Sequence, residues 1–369
     1  MIKIFKFKAD ILYNLIVMKW ELSKDYNINL NFSKDILGSE LFFLIKKDFV
    51  KNIKNSIPKK IIESKKNKDR IYDNLFCHWY FWEAYISDYN NYHPLLLENE
   101  PSYESLRNIL KDYFKNDESN IMIDEVINNL NLNKKILNAI DYLKEHDLKC
   151  SYNIQNYFNY KKIIVKTEIE NHSILFSKDK AEELIEKIGE EKFIRLLFRY
   201  YVLGSHNNQL ATNETKLEEI NPDLELFASG FNNYCESFCS IFPDLECELG
   251  SIGRFQDMEI LEGTYQINPP FQTTMIYDIL KRIKKWISNA NNNKLDLEFH
   301  LFLPDWLKNN NNLEYSKYLV LDLANEIEGE VKVINLKNTD FDYIDYWNNK
   351  TRNHTLPNTL YLIIKTKKY

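Results

Sequence analysis

Beyond about Lys180 the sequence alternates between short apolar runs of strand type and longer runs of helical spacing, and nothing else restricts the fold as much. DLELFAS (Asp223–Ser229) reads as a buried strand, and EGTYQI as a second. TTMIYDILKRIKKWI is a long helix, and LDLEFHLFLPDW, EVKVINL and NTLYLIIKT are three further strand candidates. FNNYCESFCSIF has helical spacing, and KAEELIEKIGEEKFIRLLFRYYVLG reads as one long amphipathic helix that stops at Gly204. The alternation predicts a parallel α/β sheet with helices on both faces.

The first half reads mainly helical, with Leu12, Leu15, Ile16 and Met18, then Leu106, Ile109, Leu110 and Phe114, at helical spacing. Between them Ile45–Arg70 carries ten Lys or Arg against Asp48, Glu63 and Asp69, a net of +7 by subtraction. It is expected to be a solvated helical face, with phosphate contact as the alternative. Asn74–His93 holds Trp79, Tyr80, Phe81, Trp82, Tyr85, Tyr89 and Tyr92, a cluster expected in the core rather than stacked on bases. Two short helical patterns over 120–150 suggest a winged-helix-like piece, and Tyr160–Ser177 alternates like a hairpin. The expected boundary separates a helical domain, 1–180, from an α/β domain, 181–369.

The net charge of −6 excludes a protein that coats nucleic acid by bulk charge, while leaving room for a local basic face. Five scattered cysteines fit a reducing compartment better than a disulfide framework. No run approaches the roughly 18 apolar residues of a membrane span, and the start lacks a signal-peptide core. Nuclear or cytoplasmic residence is the expectation.

The strand EGTYQI runs into Asn268-Pro269-Pro270-Phe271. Proline cannot donate to a sheet ladder and steers the preceding residue away from helix, so the corner is stiff. In an open α/β sheet, ligands bind outside the carboxyl ends of the strands, where this corner would fall. The Asn268 carboxamide offers a donor and an acceptor, Pro269 a carbonyl, and Phe271 a stacking face. Adenine's exocyclic amine is a poor nucleophile with two N–H donors. Two fixed acceptors, the Asn268 side-chain oxygen and the Pro269 carbonyl, would hold both hydrogens and favour a tetrahedral nitrogen as a methyl arrives. The bland alternative is a rigid turn with a buried Phe; the setting between strand and helix favours the site.

This corner resembles the [DN]-P-P-[YFW] motif of amino-methyltransferases that use S-adenosylmethionine. Leu224–Leu280 resembles the catalytic core of the cap-specific mRNA adenosine-N6 methyltransferase family, homologues of the factor that interacts with the phosphorylated C-terminal domain of RNA polymerase II. The matching features are FAS-x-x-N at Phe227–Asn232, the FPD, the GS-x-G-x-x-x-D run from Gly250 to Asp257, and the G-x-Tyr-x-x approach to the corner. FLPDW (Phe302–Trp306) is similar to that family's F-[IL]-P-[ED]-W. The resemblance implies a Rossmann-like class I methyltransferase domain with S-adenosylmethionine as cofactor and capped RNA as partner. The implied reaction is methyl transfer to N6 of the cap-adjacent 2′-O-methyladenosine. Internal RNA or DNA adenine is the alternative substrate, and a catalytically dead RNA-binding scaffold the alternative from another class. By motif, Asn268, Pro269, Pro270 and Phe271 would hold the adenine. Phe227, Ala228, Ser229 and Asn232, then Gly250, Ser251, Gly253 and Asp257, would face the cofactor. Trp306 is a candidate wall for cap or base. A WW module, carried by animal members, is not recognised here.

Competing chemistry is thin. Cys235 and Cys239 lie four apart on an expected helix, with Cys247 and His206 nearby, a spacing read as buried thiols rather than zinc ligands. His206–Gln209 is a polar loop that touches substrate or links domains. P-loop, nucleophile elbow and HExxH motifs are not found.

Overall fold

The computed structural model describes residues 19–22, 26, 28, 30–56, 68–88, 92–97, 103–104, 106–107, 110, 119–204, 210–305, 317–337, 341–348, 350–352 and 358–367. The first-helix spacing at Leu12–Met18, the loop His206–Gln209 and Trp306 lie outside them.

The short strand β1 (Trp20–Leu22) precedes two long helices, α1 (Phe32–Ser56) and α2 (Lys68–Ile86). Helices α3 (Ser119–Leu130) and α4 (Leu132–Glu145) lead into an antiparallel sheet of β2 (Ser151–Tyr157), β3 (Tyr160–Lys166) and β4 (Asn171–Ser177). The expected hairpin over 160–177 is therefore present, extended by β2. Of the aromatic cluster, Trp79, Tyr80 and Tyr85 are buried, with Trp79 stacked on Phe49; Phe81 and Trp82 are half-buried, Tyr92 is exposed, and Tyr89 lies outside the described residues. The basic segment ends α1 and begins α2. Lys47, Lys51 and Lys54 are exposed, but Lys46 is buried and donates to the Leu203 carbonyl at 3.3 Å.

The long amphipathic helix is in fact two, α5 (Lys178–Ile188) and α6 (Glu190–Leu203), broken where Gly189 adopts φ 79°. Gly204 ends α6 in the left-handed conformation, as a C-terminal stop requires. Both helices pack into the core of α1–α4 and the antiparallel sheet.

Next come β5 (Leu210–Thr212), α7 (Glu214–Ile220), β6 (Leu224–Glu225), β7 (Phe238–Cys239), the turn-length α8 (Pro243–Glu246), β8 (Ser251–Gly253) and β9 (Met258–Ile260). Then follow β10 (Gly263–Ile267), α9 (Thr273–Asn293), β11 (Leu297–Pro304), α10 (Lys317–Asn325), β12 (Glu330–Leu336), β13 (Tyr343–Asp345), β14 (Lys350–Arg352) and β15 (Thr359–Lys365). The main sheet has the order β12-β15-β11-β10-β6-β7-β8. It is mixed, which corrects the expectation of a parallel sheet. β11, β10, β6, β7 and β8 pair in parallel, whereas β15 runs antiparallel between β11 and β12. β15 is apolar and buried on both faces, so its sequence reads like any central strand and hides its direction.

Two further pairings frame the sheet. β1 pairs antiparallel with β9, and β5 with β13. Helix α2 docks on α9, where the Tyr85 hydroxyl donates to Asp278. No described helix is long and apolar enough to cross a membrane.

Candidate active site

The chain leaves β6 toward β7 and β8 on one side of the sheet and leaves β10 toward β11 on the other. Adjacent parallel strands whose connections diverge in this way open a crevice at their carboxyl ends. The ladder continues briefly past β6: Leu226 N–H donates to the Gln266 carbonyl at 2.9 Å, and Ala228 N–H to the Cys239 carbonyl at 3.0 Å. Phe227 and Ala228 thus lie beside the end of β10, with the Phe227 ring 4.6 Å from that of Phe255.

The FAS-x-x-N motif closes on itself. Asn232 Oδ1 accepts from the Ser229 N–H at 2.8 Å and from its hydroxyl at 2.9 Å, and the Asn232 and Asn233 N–H groups return to the Ser229 carbonyl. The segment FNNYCESFCSIF, expected to be helical, is instead turns and the two-residue strand β7. Side-chain acceptors take the N–H groups that a helix would use: Glu225 Oε2 accepts from Tyr234 N–H at 2.6 Å and Cys235 N–H at 2.9 Å. Cys235 and Cys239 are buried thiols, as expected, though on no helix; Cys247 is exposed.

Two buried carboxyls underpin this turn, and neither stands out in the sequence. Burial pushes the Glu225 carboxyl up to about 7, against the two backbone N–H groups it accepts. Burial likewise raises Glu246 to about 7, although Gly230 N–H donates to it at 2.7 Å and the Tyr200 hydroxyl at 3.1 Å.

At the facing lip, β10 ends at Ile267 and Asn268 follows. Its Nδ2 donates to the Leu210 carbonyl at 2.9 Å, which turns the amide so that Oδ1 faces away from β5. Among the described residues nothing donates to that oxygen. The Pro270 carbonyl is taken by the Gln272 N–H at 2.7 Å, and the Gln272 side chain caps α9 at Met275. Pro269 is buried, and Phe271 is half-buried. One residue before the end of β10, Gln266 Nε2 donates to Thr212 at 3.1 Å, while its buried Oε1 has no partner.

Gly250, Ser251, Gly253 and Asp257 lie around β8, three strand spacings or about 14 Å from β10. Gly250 has φ 105°, and a Cβ there would run into the Glu236 carbonyl oxygen. The Ser251 hydroxyl bonds that of Ser240 at 2.7 Å. Asp257 Oδ2 accepts from Arg254 at 2.9 Å and from the Tyr26 hydroxyl at 2.6 Å, which ties the strand to the segment after β1. The structure therefore brings Phe227–Asn232 and Asn268–Phe271 to neighbouring strand ends and leaves Gly250–Asp257 around the edge strand β8, with Gly250 at its amino end and Asp257 beyond its carboxyl end. The FPD motif serves the core instead, where Asp244 binds Arg199 at 2.8 Å and Arg199 in turn binds Asp35.

This open sheet, with a proline corner at its switch point, is compatible with an α/β methyltransferase fold. A family model described as the phosphorylated CTD interacting factor 1 WW domain matches residues 173–328. That family takes its name from a WW domain, whereas the matched residues run from β4 to just beyond α10. The mouse mRNA (2′-O-methyladenosine-N(6)-)-methyltransferase is 33% identical over 83 residues, 22% of this chain and 11% of the relative. The human protein of the same name is 32% identical over 83 residues, with the same shares. The aligned stretch spans about a tenth of the length of these curated relatives. Over residues 173–328 the chain is similar to the phosphorylated CTD interacting factor family.

Proposed function

We propose that the chain is an S-adenosylmethionine-dependent methyltransferase of Rossmann-like class I type, acting on N6 of the cap-adjacent 2′-O-methyladenosine of capped RNA. The observation that carries this is the Asn268 amide, anchored through its nitrogen to Leu210 with its oxygen turned away from that strand, on a proline corner at the switch point. The activity in the relatives' names supplies the substrate class.

In this reading Asn268 Oδ1 and the Pro269 carbonyl accept the two N–H groups of the adenine amine. Pro270 holds the corner rigid, and Phe271 stacks on the ring. The amine is then held pyramidal by dipoles fixed before it arrives, so no strong base is required. The proton leaves once the nitrogen has begun to carry positive charge.

The cofactor would supply an electrophilic methyl on a sulfonium. The orphaned Gln266 Oε1 fits a group that brings amine donors to the end of β10. Phe227 and Ala228 would hold it on the β6 side, Ser229 and Asn232 would keep that turn closed, and Gly250, Ser251, Gly253 and Asp257 would form its second edge. Trp306, two residues past β11 in the sequence, would wall the base or cap. Residues 1–180 would carry the RNA-binding half and 181–369 the methyl-transfer half, in a nuclear or cytoplasmic protein.

A labelled methyl-transfer assay on adenosine-starting oligonucleotides tests this. Transfer to capped but not uncapped RNA is expected. Equal transfer to internal adenine would replace the cap reading, and failure to bind S-adenosylmethionine in calorimetry would leave a scaffold.

A further inference from the structure

Three ligand-type side chains converge where α1 meets the antiparallel sheet, far in sequence from the corner. Glu40 comes from α1, Glu170 from the turn between β3 and β4, and His172 from the start of β4. One ligand atom of each lies within 4.8 Å of the other two, the single grouping of this kind among the described residues. His172 Nε2 stands 2.5 Å from Glu40 Oε2. Glu40 is fully buried, and its other oxygen, Oε1, has no hydrogen-bond partner. The rings of Phe43 and Phe198 lie 5.1 and 5.0 Å from the imidazole and exclude water from its sides. Glu170 faces outward to Lys47 at 2.7 Å, and both of those side chains are about half exposed.

A buried carboxylate oxygen without a donor is costly, and native structures rarely tolerate one without a reason. Here that oxygen belongs to a group whose other oxygen already meets the imidazole, with a second carboxylate oxygen within 4.8 Å. A hydrogen-bond donor is one way to satisfy it; a cation is another, and the second also accounts for the convergence of the three groups.

We propose that Glu40, Glu170 and His172 form a binding site for a divalent transition-metal ion, with zinc the best match to one imidazole and two carboxylates. Zinc–ligand distances of about 2.0–2.2 Å require ligand atoms about 3.3 Å apart in a tetrahedron. The Glu40–His172 pair must open and Glu170 must swing inward to reach that spacing. Neutral His172 and two carboxylates carry a charge of −2, which the ion cancels, and the fourth position falls to water. Lys47 competes for Glu170 and must release it; its exposed stem allows that. A bound ion would clamp α1 to the β3–β4 hairpin, a structural role independent of methyl transfer.

The test is titration of chelator-treated, full-length protein with Co²⁺, followed by displacement with Zn²⁺. We expect saturable 1:1 binding with visible d–d bands and no sulfur-to-cobalt charge-transfer band, since no thiol belongs to the site. Glu170→Gln and His172→Asn should each weaken binding by tenfold or more, and Lys47→Gln should strengthen it. Glu170 is partly exposed, so that variant keeps the test open if a change at Glu40 or His172 prevents folding. Absence of saturable binding, a thiolate band, or affinity unchanged in Glu170→Gln would overturn the site. None of these readouts depends on methyl transfer.

Discussion

The Asn268 side-chain nitrogen is bonded to the Leu210 carbonyl oxygen, so the corner after β10 is anchored to β5 as well as stiffened by its prolines. Truncation at Asn268 removes an acceptor from the proposed site and one neutral hydrogen bond from the fold, worth about 1 kcal/mol. Asn268→Ala should therefore fold and lose methyl transfer by about 10²–10³-fold, the usual cost of one preorganised dipole. Circular dichroism melting together with labelled transfer measures both. Full activity in the folded variant would remove Asn268 from the chemistry.

Glu246 makes stability fall as pH rises. Its carboxyl titrates near 7 in the folded protein against an ordinary value of 4.5, so the folded state holds more protons between those values. Its contribution is fully favourable below about pH 4.5 and is lost as pH rises through 7. At about 1.4 kcal/mol per unit, the loss amounts to about 3 kcal/mol. Glu246→Gln keeps an acceptor for Gly230 N–H and removes the titration. Relative to the parent, the variant should gain stability between pH 5 and pH 8 in urea unfolding. The same difference at both pH values would assign the titration elsewhere.

Asp35 is a buried hub. It accepts from Arg195 at 2.7 Å and Arg199 at 2.8 Å, and His93 Nε2 stands 3.2 Å away. Although burial opposes it, Arg199 and His93 hold the carboxyl well below the usual carboxylate range. Asp35→Ala removes the buried carboxylate from Arg195 and leaves Arg199 only Asp244, and should cost about 3–5 kcal/mol, read as a fall in the urea midpoint. A loss under about 1 kcal/mol would contradict the network.

Gly250 stands immediately before β8, one of the segments proposed to meet the cofactor. With φ 105° and the Glu236 carbonyl where a Cβ would go, Gly250→Ala must move the start of β8. The substitution should cost roughly 1–3 kcal/mol and weaken S-adenosylmethionine binding in calorimetry. Parent-like affinity would detach β8 from the cofactor.

The strands β10, β11, β12 and β15 and the helix α9 are legible in the sequence because long periodic runs carry their own signal, whereas the three-residue β13 and β14 carry none. The helix expected at Phe231–Phe242 is not there. Phe231, Cys235, Phe238 and Phe242 fall at i, i+4, i+7 and i+11 and are all buried, which imitates a helical stripe. What defeats the helix is Glu225 taking the Tyr234 and Cys235 N–H groups from an earlier strand, and no periodicity reports that. Gly189 is visible in the sequence, but a lone glycine is tolerated within a helix; its positive φ makes it a break. Glu246 and Asp35 matter through partners far along the chain, beyond the reach of spacing.

The reversed strand β15 has a consequence for synthesis. It sits between β11 and β12 and forms every ladder bond that links β12 to the rest of the sheet. As a nascent chain emerges, β11 presents an unpaired edge, and β12 has no place to dock, until residue 365 clears the ribosome. Pairing at that sequence distance is slow, and an open apolar edge is the kind of surface that chaperones hold. The seven-stranded sheet would then close only after β15 is made, however early Asn268 is translated.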